Sequence, residues 1–158
     1  MQKKILLAID ESEGALRAVR FVAESMSKEH RVTILSIVPN TLLICQMHDE
    51  TFTPYFLAQK DAFCSLEDKK KELLRDAQNK AREILLSAGF SRQNVELKLE
   101  KEQKGVAKDI IAEAEKGYDM VVLGRRGLSG LKEFFLGSVS QKVLQGAKDI
   151  TVVLAGIQ

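Results

Sequence analysis

No apolar run in this chain of 158 residues approaches the roughly 20 consecutive residues that a membrane-spanning helix needs. The amino terminus, Met1-Gln2-Lys3-Lys4, leads into a short apolar run that soon meets Asp10-Glu11. That is too short for a secretory leader and has no cleavage pattern. A cytoplasmic location is the expectation from these two absences. Cysteine is scarce: Cys45 and Cys64 are the only two, without C-x-x-C spacing. With no leader, reduced structural thiols are expected. Charge of one sign is not in excess either, since 24 Lys and Arg face 22 Asp and Glu. A formal net charge of +2 argues against nucleic acid as a partner. Tryptophan is absent, which carries no functional information.

Several chemical signatures are absent as well. There is no G-x-x-x-x-G-K-[ST] phosphate loop, no G-x-G-x-x-G dinucleotide fingerprint, no G-x-S-x-G elbow and no cysteine–histidine signature. His30 and His48 are isolated in sequence, and His48-Asp49-Glu50 reads as a polar loop rather than a metal site. No catalytic residue and no metal ligand is assigned. The 45% hydrophobic and 29% charged residues are those of an ordinary soluble globular protein, and a single domain over residues 1–158 is expected.

What is present alternates. Lys4 to Ile9 is a short apolar run and reads as a buried strand. Leu16, Val19, Val22 and Met26 follow at helical spacing behind a possible Ser12 cap. Arg31 to Val38 is β-branched and stops at Pro39, a second strand. The stretch from Asn40 to about Phe63 is the least regular, with Pro54, the aromatics Phe52, Tyr55 and Phe56, His48 and Cys45; so long an excursion is usually functional or mobile. A long helix is predicted next, with Leu66, Leu73, Leu74, Ala77, Ala81, Ile84 and Leu85 on one face, closing at Gly89. Its charged side reads as a solvated face. Val95, Leu97 and Leu99 alternate with charged residues, as in an edge strand. A helix from Gly105 to Gly117, a strand from Asp119 to Leu123, a helix from Ser138 and a strand from Asp149 to Leu154 complete the order β-α-β-α-β-α-β-α-β. That alternation predicts a five-stranded parallel, doubly wound α/β sandwich of Rossmann-like type.

The most informative segment joins the fourth strand to the last helix: Gly124-Arg125-Arg126-Gly127-Leu128-Ser129-Gly130, then Gly137-Ser138. A glycine-rich loop between a buried strand and a helix start is where α/β proteins bind phosphate. Glycine lets backbone N–H groups approach an anion closely, and the helix start adds unpaired donors and a positive dipole end. Ser138 reads as the N-cap, with Gln141 completing a capping box. Ligands in such folds sit beyond the carboxyl ends of the strands, where Asp10, Val38 and this loop converge. Asp10 can accept from a base amine or ribose hydroxyl, or simply cap the first helix. Backbone groups at Val38 can read a base edge, or be only a strand end. Arg126 is the preferred phosphate contact over Arg125 and Lys132, and Phe134, Phe135 and Leu136 read as anchors for the loop.

The spacing Gly124-x2-Gly127-x9-Gly137-Ser138, with Ile5-Leu6-Leu7-Ala8-Ile9-Asp10-Glu11-Ser12 at the start, resembles the ATP-binding branch of the universal stress protein family over nearly the whole chain. The resemblance implies the adenine-nucleotide α-hydrolase-like fold. It also implies contact of Asp10 and the Val38 backbone with adenine or ribose, and Gly124 near the ribose. Gly127, Gly137, Ser138 and Ser140 would hold the phosphates with Mg²⁺. It implies a homodimer through the last strand, Thr151 to Leu154, whose unprotected β-branched edge fits that role. Arg125 departs from the small residue common at its place, and the last strand lacks the usual proline. The expected function is regulatory ATP binding with an unidentified protein partner. The alternatives are a slow ATPase, for which no base is evident, and a nucleotide-free interaction module. A receiver-type phosphorelay module is weaker, because only Asp10-Glu11 fits it.

Overall fold

The structure, a computed structural model, describes residues 1–41, 54–125 and 136–156, without the side chains of 55–61 and 63. Its elements are β1 (Lys4–Ala8), α1 (Glu13–Ser25), β2 (Arg31–Val38), α2 (Pro54–Ser87), β3 (Val95–Lys101), α3 (Val106–Ala114), β4 (Met120–Gly124), α4 (Ser138–Gly146) and β5 (Thr151–Ala155). A single 3₁₀ turn, Arg92–Asn94, precedes β3. The five strands lie in the order β3-β2-β1-β4-β5, and every neighbouring pair is parallel. The expected sandwich is therefore present, with winding that reverses between β1 and β4.

β1 is central and covered on both sides, which is why it reads as an unbroken apolar run. Ile5 and Leu7 face α1 and α2, meeting Ala18, Val19, Val22, Ala81 and Leu85. Leu6 and Ala8 face α3 and α4, meeting Ala107, Ile110, Ala114 and Val143. Alternate strand residues point to opposite faces, so one strand seeds both cores. The β3 strand with alternating polarity forms one edge, as predicted, and β5 forms the other.

Three expectations change. α2 begins at Pro54, inside the stretch read as irregular; proline is at home in a first helical turn. The buried line of α2 is Leu74, Gln78, Ala81 and Leu85, whereas Leu66 and Leu73 are 56% and 51% exposed. The two stand off that line: Leu73 comes one residue before the buried Leu74, about 100° away around the helix, and Leu66 lies two turns before Leu73 on the same stripe. Gln78 holds its place in the apolar line because its amide donates to the carbonyls of Ile34 (3.0 Å) and Lys98 (2.7 Å). Finally, Cys64 is disulfide-bonded rather than reduced. Sequence spacing does not decide pairing, which depends on how closely the backbones approach; the other cysteine, Cys45, lies outside the described residues, as do His48 and Phe52.

One buried charge ties α3 to the edge strand. Glu113 is 3% exposed and accepts from Lys98 Nζ at 2.7 Å, Lys116 Nζ at 2.8 Å and the Tyr118 hydroxyl at 3.2 Å. Burial pushes its carboxyl up, but hydrogen bonds and charge from Lys116 and Lys98 outweigh that and leave it below the ordinary value. A carboxylate depressed on folding adds stability above its unfolded pKa, and that contribution fades as pH falls through the native value. Glu113→Gln is expected to cost about 1–2 kcal/mol at neutral pH, since both lysines keep some contact with water. Urea denaturation across pH checks this: the gap from the parent protein should narrow once pH drops below about 4.5, the ordinary value. A gap that does not change with pH would show that the charge contributes nothing.

Candidate functional site

Beyond the carboxyl end of β1 the chain turns into α1 through Asp10 and Ser12. The Ser12 N–H donates to Asp10 Oδ1 (2.9 Å), and the Ala15 N–H donates to Ser12 Oγ (3.1 Å). Ser12 is thus the N-cap expected of it. Beside it, the ends of β1 and β2 are locked together. The Ile9 N–H donates to the Leu35 carbonyl at 2.9 Å, and the buried Ser36 hydroxyl donates to the Ile9 carbonyl at 2.9 Å. On the other side of β1, the end of β4 packs directly on α1: a Cβ at Gly124 would stand 2.4 Å from the Gly14 carbonyl oxygen and 3.0 Å from Ala15 N. The buried Ser140 hydroxyl of α4 donates to the Gly124 carbonyl at 2.7 Å, which sets the start of α4 over the end of β4.

Between these parts lies a cavity of about 250 Å³. Leu35, Ile37, Ile110 and Leu123 give it an apolar floor, and Asp10, Gly124, Gly137, Ser138, Val139 and Ser140 line its rim. It sits over the reversal of winding, where α/β sheets take ligands. The first turn of α4 leaves the N–H groups of Ser138, Val139 and Ser140 without acceptors inside the helix, and the dipole makes that end favourable for an anion. Among the described lining residues there is one carboxylate, Asp10, and no cation. Such a site suits a ligand with a flat neutral part for the floor, a hydroxyl or amine donor for Asp10, and an acceptor or anion for α4.

Five of the sequence-predicted residues meet here: Asp10, Gly124, Gly137, Ser138 and Ser140. Arg126 and Gly127 lie outside the described residues, as do Lys132, Phe134 and Phe135. Val38 does not line this cavity. Its carbonyl accepts from the Glu102 N–H at 2.9 Å, and its side chain faces a separate cavity beneath α2 with Gln78, Leu97 and Leu99. Ile37, one residue earlier and therefore on the opposite face, lines the cavity instead. The period of β2 carried that signal, because Leu35 and Ile37 share parity. The cap of α4 also differs from expectation. It is Gly137, not Ser138; the helix starts one residue earlier, with the Gln141 N–H bonded to the Gly137 carbonyl at 2.9 Å. The Gly137 N–H is itself engaged, donating to the Arg125 carbonyl at 2.9 Å, while the Arg125 N–H donates to Ala155 at 3.0 Å. The described residues contain no cluster of His, Cys, Asp and Glu able to hold a metal, and no helix among them is long and apolar enough to cross a membrane.

A model of the universal stress protein family matches residues 1–154. The universal stress protein Sll1388 of Synechocystis is 33% identical over 145 residues, covering 89% of this chain and 90% of its own. Among solved structures, the universal stress protein UspA of Lactobacillus plantarum aligns over 97% of both chains with a TM-score of 0.70 and 19% identity. A universal stress protein in complex with cAMP aligns with a TM-score of 0.60 and 18% identity, covering 99% of this chain and 98% of that one. At those identities the solved structures speak for the fold, the five-stranded adenine-nucleotide α-hydrolase-like sandwich.

Because the atoms facing Gly124 are backbone, they cannot swing aside. Gly124→Ala is therefore expected to lower stability by about 1–3 kcal/mol. Ser140→Ala, which strips a buried carbonyl of its donor, should lower it by about 1 kcal/mol. Thermal unfolding checks both; an unshifted Tm for Gly124→Ala would mean that α1 and β4 are free to separate.

Proposed function

The chain belongs to the universal stress protein family, and on that footing we propose that it is an adenine-nucleotide-binding regulatory protein of the cytoplasm that takes ATP with Mg²⁺ and works as a homodimer. The observation that carries the reading is the cavity at the ends of β1, β2 and β4. Its apolar floor lies between a single carboxylate and a helix start. At about 250 Å³ it falls just short of the roughly 300–1,000 Å³ of drug-sized clefts, so it suits a base and ribose with the phosphates projecting toward residues 125–137. Asp10 accepts from ribose or base. The N–H groups at Ser138 and Val139 meet phosphate oxygens, and Arg126 and Gly127 complete the cradle. A related fold holds cAMP in one solved universal stress protein, which supports an adenine ring here.

Mg²⁺ fits as a companion of the phosphates rather than as a resident of a protein cage, because Asp10 is the sole carboxylate among the described lining residues and Mg²⁺ commonly relies on phosphate oxygens and water. When bound, it offsets phosphate charge that the described lining leaves without a cation. No described lining residue is placed as a base at the phosphate end, so any hydrolysis is slow. Occupancy acts by favouring one conformation of the loop over another, which requires different affinities for the two. β5 is an edge strand without proline, which supports dimerisation through Thr151 to Leu154.

A second reading has one observation in its favour. The Gly137 N–H already bonds to Arg125, which suits glycines that only shape the loop of a nucleotide-free interaction module. Calorimetry on nucleotide-stripped protein separates the two. With Mg²⁺, ATP is expected to bind saturably and AMP at least roughly tenfold more weakly, a difference of about 1.4 kcal/mol. Gly127→Val should abolish ATP binding while the protein stays folded. No heat with either nucleotide, or full affinity in Gly127→Val, would favour the interaction module. Sedimentation should give twice the 17.6 kDa chain mass; a monomer would remove the dimer from the proposal.

A further inference from the structure

The first turn of α1 has two sides. One closes the strand-end cavity; the other borders a groove of about 220 Å³ between α1 and α2. Ile9, Asp10, Ser12 and Ala15 line both. Leu16 and Val19 from α1 and Leu73 and Ala77 from α2 make the apolar lining of the groove. Leu73 is half exposed although its spacing on α2 predicts a core position. Leu66, two turns earlier on the same face of α2, is more than half exposed as well. Two leucines on one stripe are thus left half exposed among the described residues.

The rim is acidic. Among the described lining residues, Asp10, Glu11, Glu13 and Asp76 face one cation, Lys80. Lys70 stands on the same stripe between Leu66 and Leu73, but it is bound to Glu11 Oε1. The other oxygen of that carboxylate, Glu11 Oε2, is buried and has no hydrogen-bond partner among the described residues. A buried acceptor left unmet is costly, and more so when it is charged. Apolar floor and acidic rim together specify the chemistry of an occupant.

We propose that the α1–α2 groove docks a basic amphipathic segment of a protein partner. One leucine- or methionine-sized side chain of that segment fills the space beside Leu73. An arginine next to it answers Glu13 and Asp76, since a guanidinium offers paired donors to carboxylates. The helix-in-groove mode uses the same parts, an apolar anchor framed by complementary charge. An anionic lipid surface is disfavoured by the acidic rim. The proposal does not depend on what the strand-end cavity holds.

The probe is a pair of fluorescent amphipathic peptides with one leucine-rich face, flanked by arginine in one and by glutamate in the other, titrated against the full chain by anisotropy. The arginine peptide is expected to bind at least tenfold more tightly than the glutamate peptide, and to weaken as salt is raised. Leu73→Asp, and separately the pair Glu13→Lys with Asp76→Lys, should each weaken it tenfold or more. Glu83→Lys, an exposed acid elsewhere on α2, should leave it unchanged, with circular dichroism confirming that all variants are folded. Equal binding of the two peptides, no binding of either, or affinity untouched by these variants would overturn the proposal. A fall in sedimentation mass in Leu73→Asp would also overturn it, by assigning the groove to a second copy of the chain.

Discussion

The contact on which this molecule depends is that between the end of β4 and the first turn of α1. Gly124 comes so near the Gly14 carbonyl that a single added carbon would stand at 2.4 Å. Small residues make that approach possible: the atoms facing Gly124 belong to Gly14 and Ala15, both buried in α1. The Gly124 carbonyl, turned the other way, receives the Ser140 hydroxyl. One glycine therefore fixes the start of α1 and the start of α4 against the same strand. Two helix starts are brought to one point at the strand ends, where their unpaired N–H groups can serve a ligand. The cavity follows from that packing rather than from any one polar residue.

Charge is distributed to match. The described lining of the cavity contains Asp10 and otherwise neutral groups. The ion pairs are held away from it: Glu113 with Lys98 and Lys116, Glu67 with Lys101, and Glu11 with Lys70 at the mouth of the neighbouring groove. A neutral apolar slot accepts an uncharged ring without desolvating a paired ion. The α1–α2 groove is of the opposite character, acidic around its apolar floor, so the two sides of a single helical turn address different chemistry.

Much of the architecture was legible because the strands are short, apolar and separated by unmistakable helical periods. Ile5 to Leu7 announced a strand buried on both faces, and the alternation from Val95 to Leu99 announced an edge. Ser12 announced its helix by a local rule that tertiary contacts did not disturb. The misreadings had tertiary causes. Leu66 and Leu73 follow a helical period, yet the line that packs on the sheet is the neighbouring one of Leu74, Gln78, Ala81 and Leu85. Ser138 satisfies the local pattern of an N-cap, but the Gly137 carbonyl accepts from Gln141, so the helix begins one residue early. Strand parity turns the Val38 side chain to the α2 face and gives that of Ile37 to the cavity; the expectation for Val38 concerned its backbone, on which parity does not bear.

The sequence by itself determined the order of elements, the parallel sheet and the neighbourhood of the site, because periodicity and glycine spacing are local properties that the chain carries in any conformation. Its glycine pattern also marked the family. Tertiary structure alone decided which residues share a space: that Ser140 would close on Gly124 rather than stand free, that Gly137 would give its N–H to Arg125, and that an acidic groove would open behind Asp10. Those facts arise where segments distant in sequence meet, and a hydrogen bond or a sub-van der Waals approach across 16 residues or more leaves no local trace. The physical reason is that burial and hydrogen bonding are satisfied in three dimensions, so a residue's role is fixed by what the rest of the fold places against it.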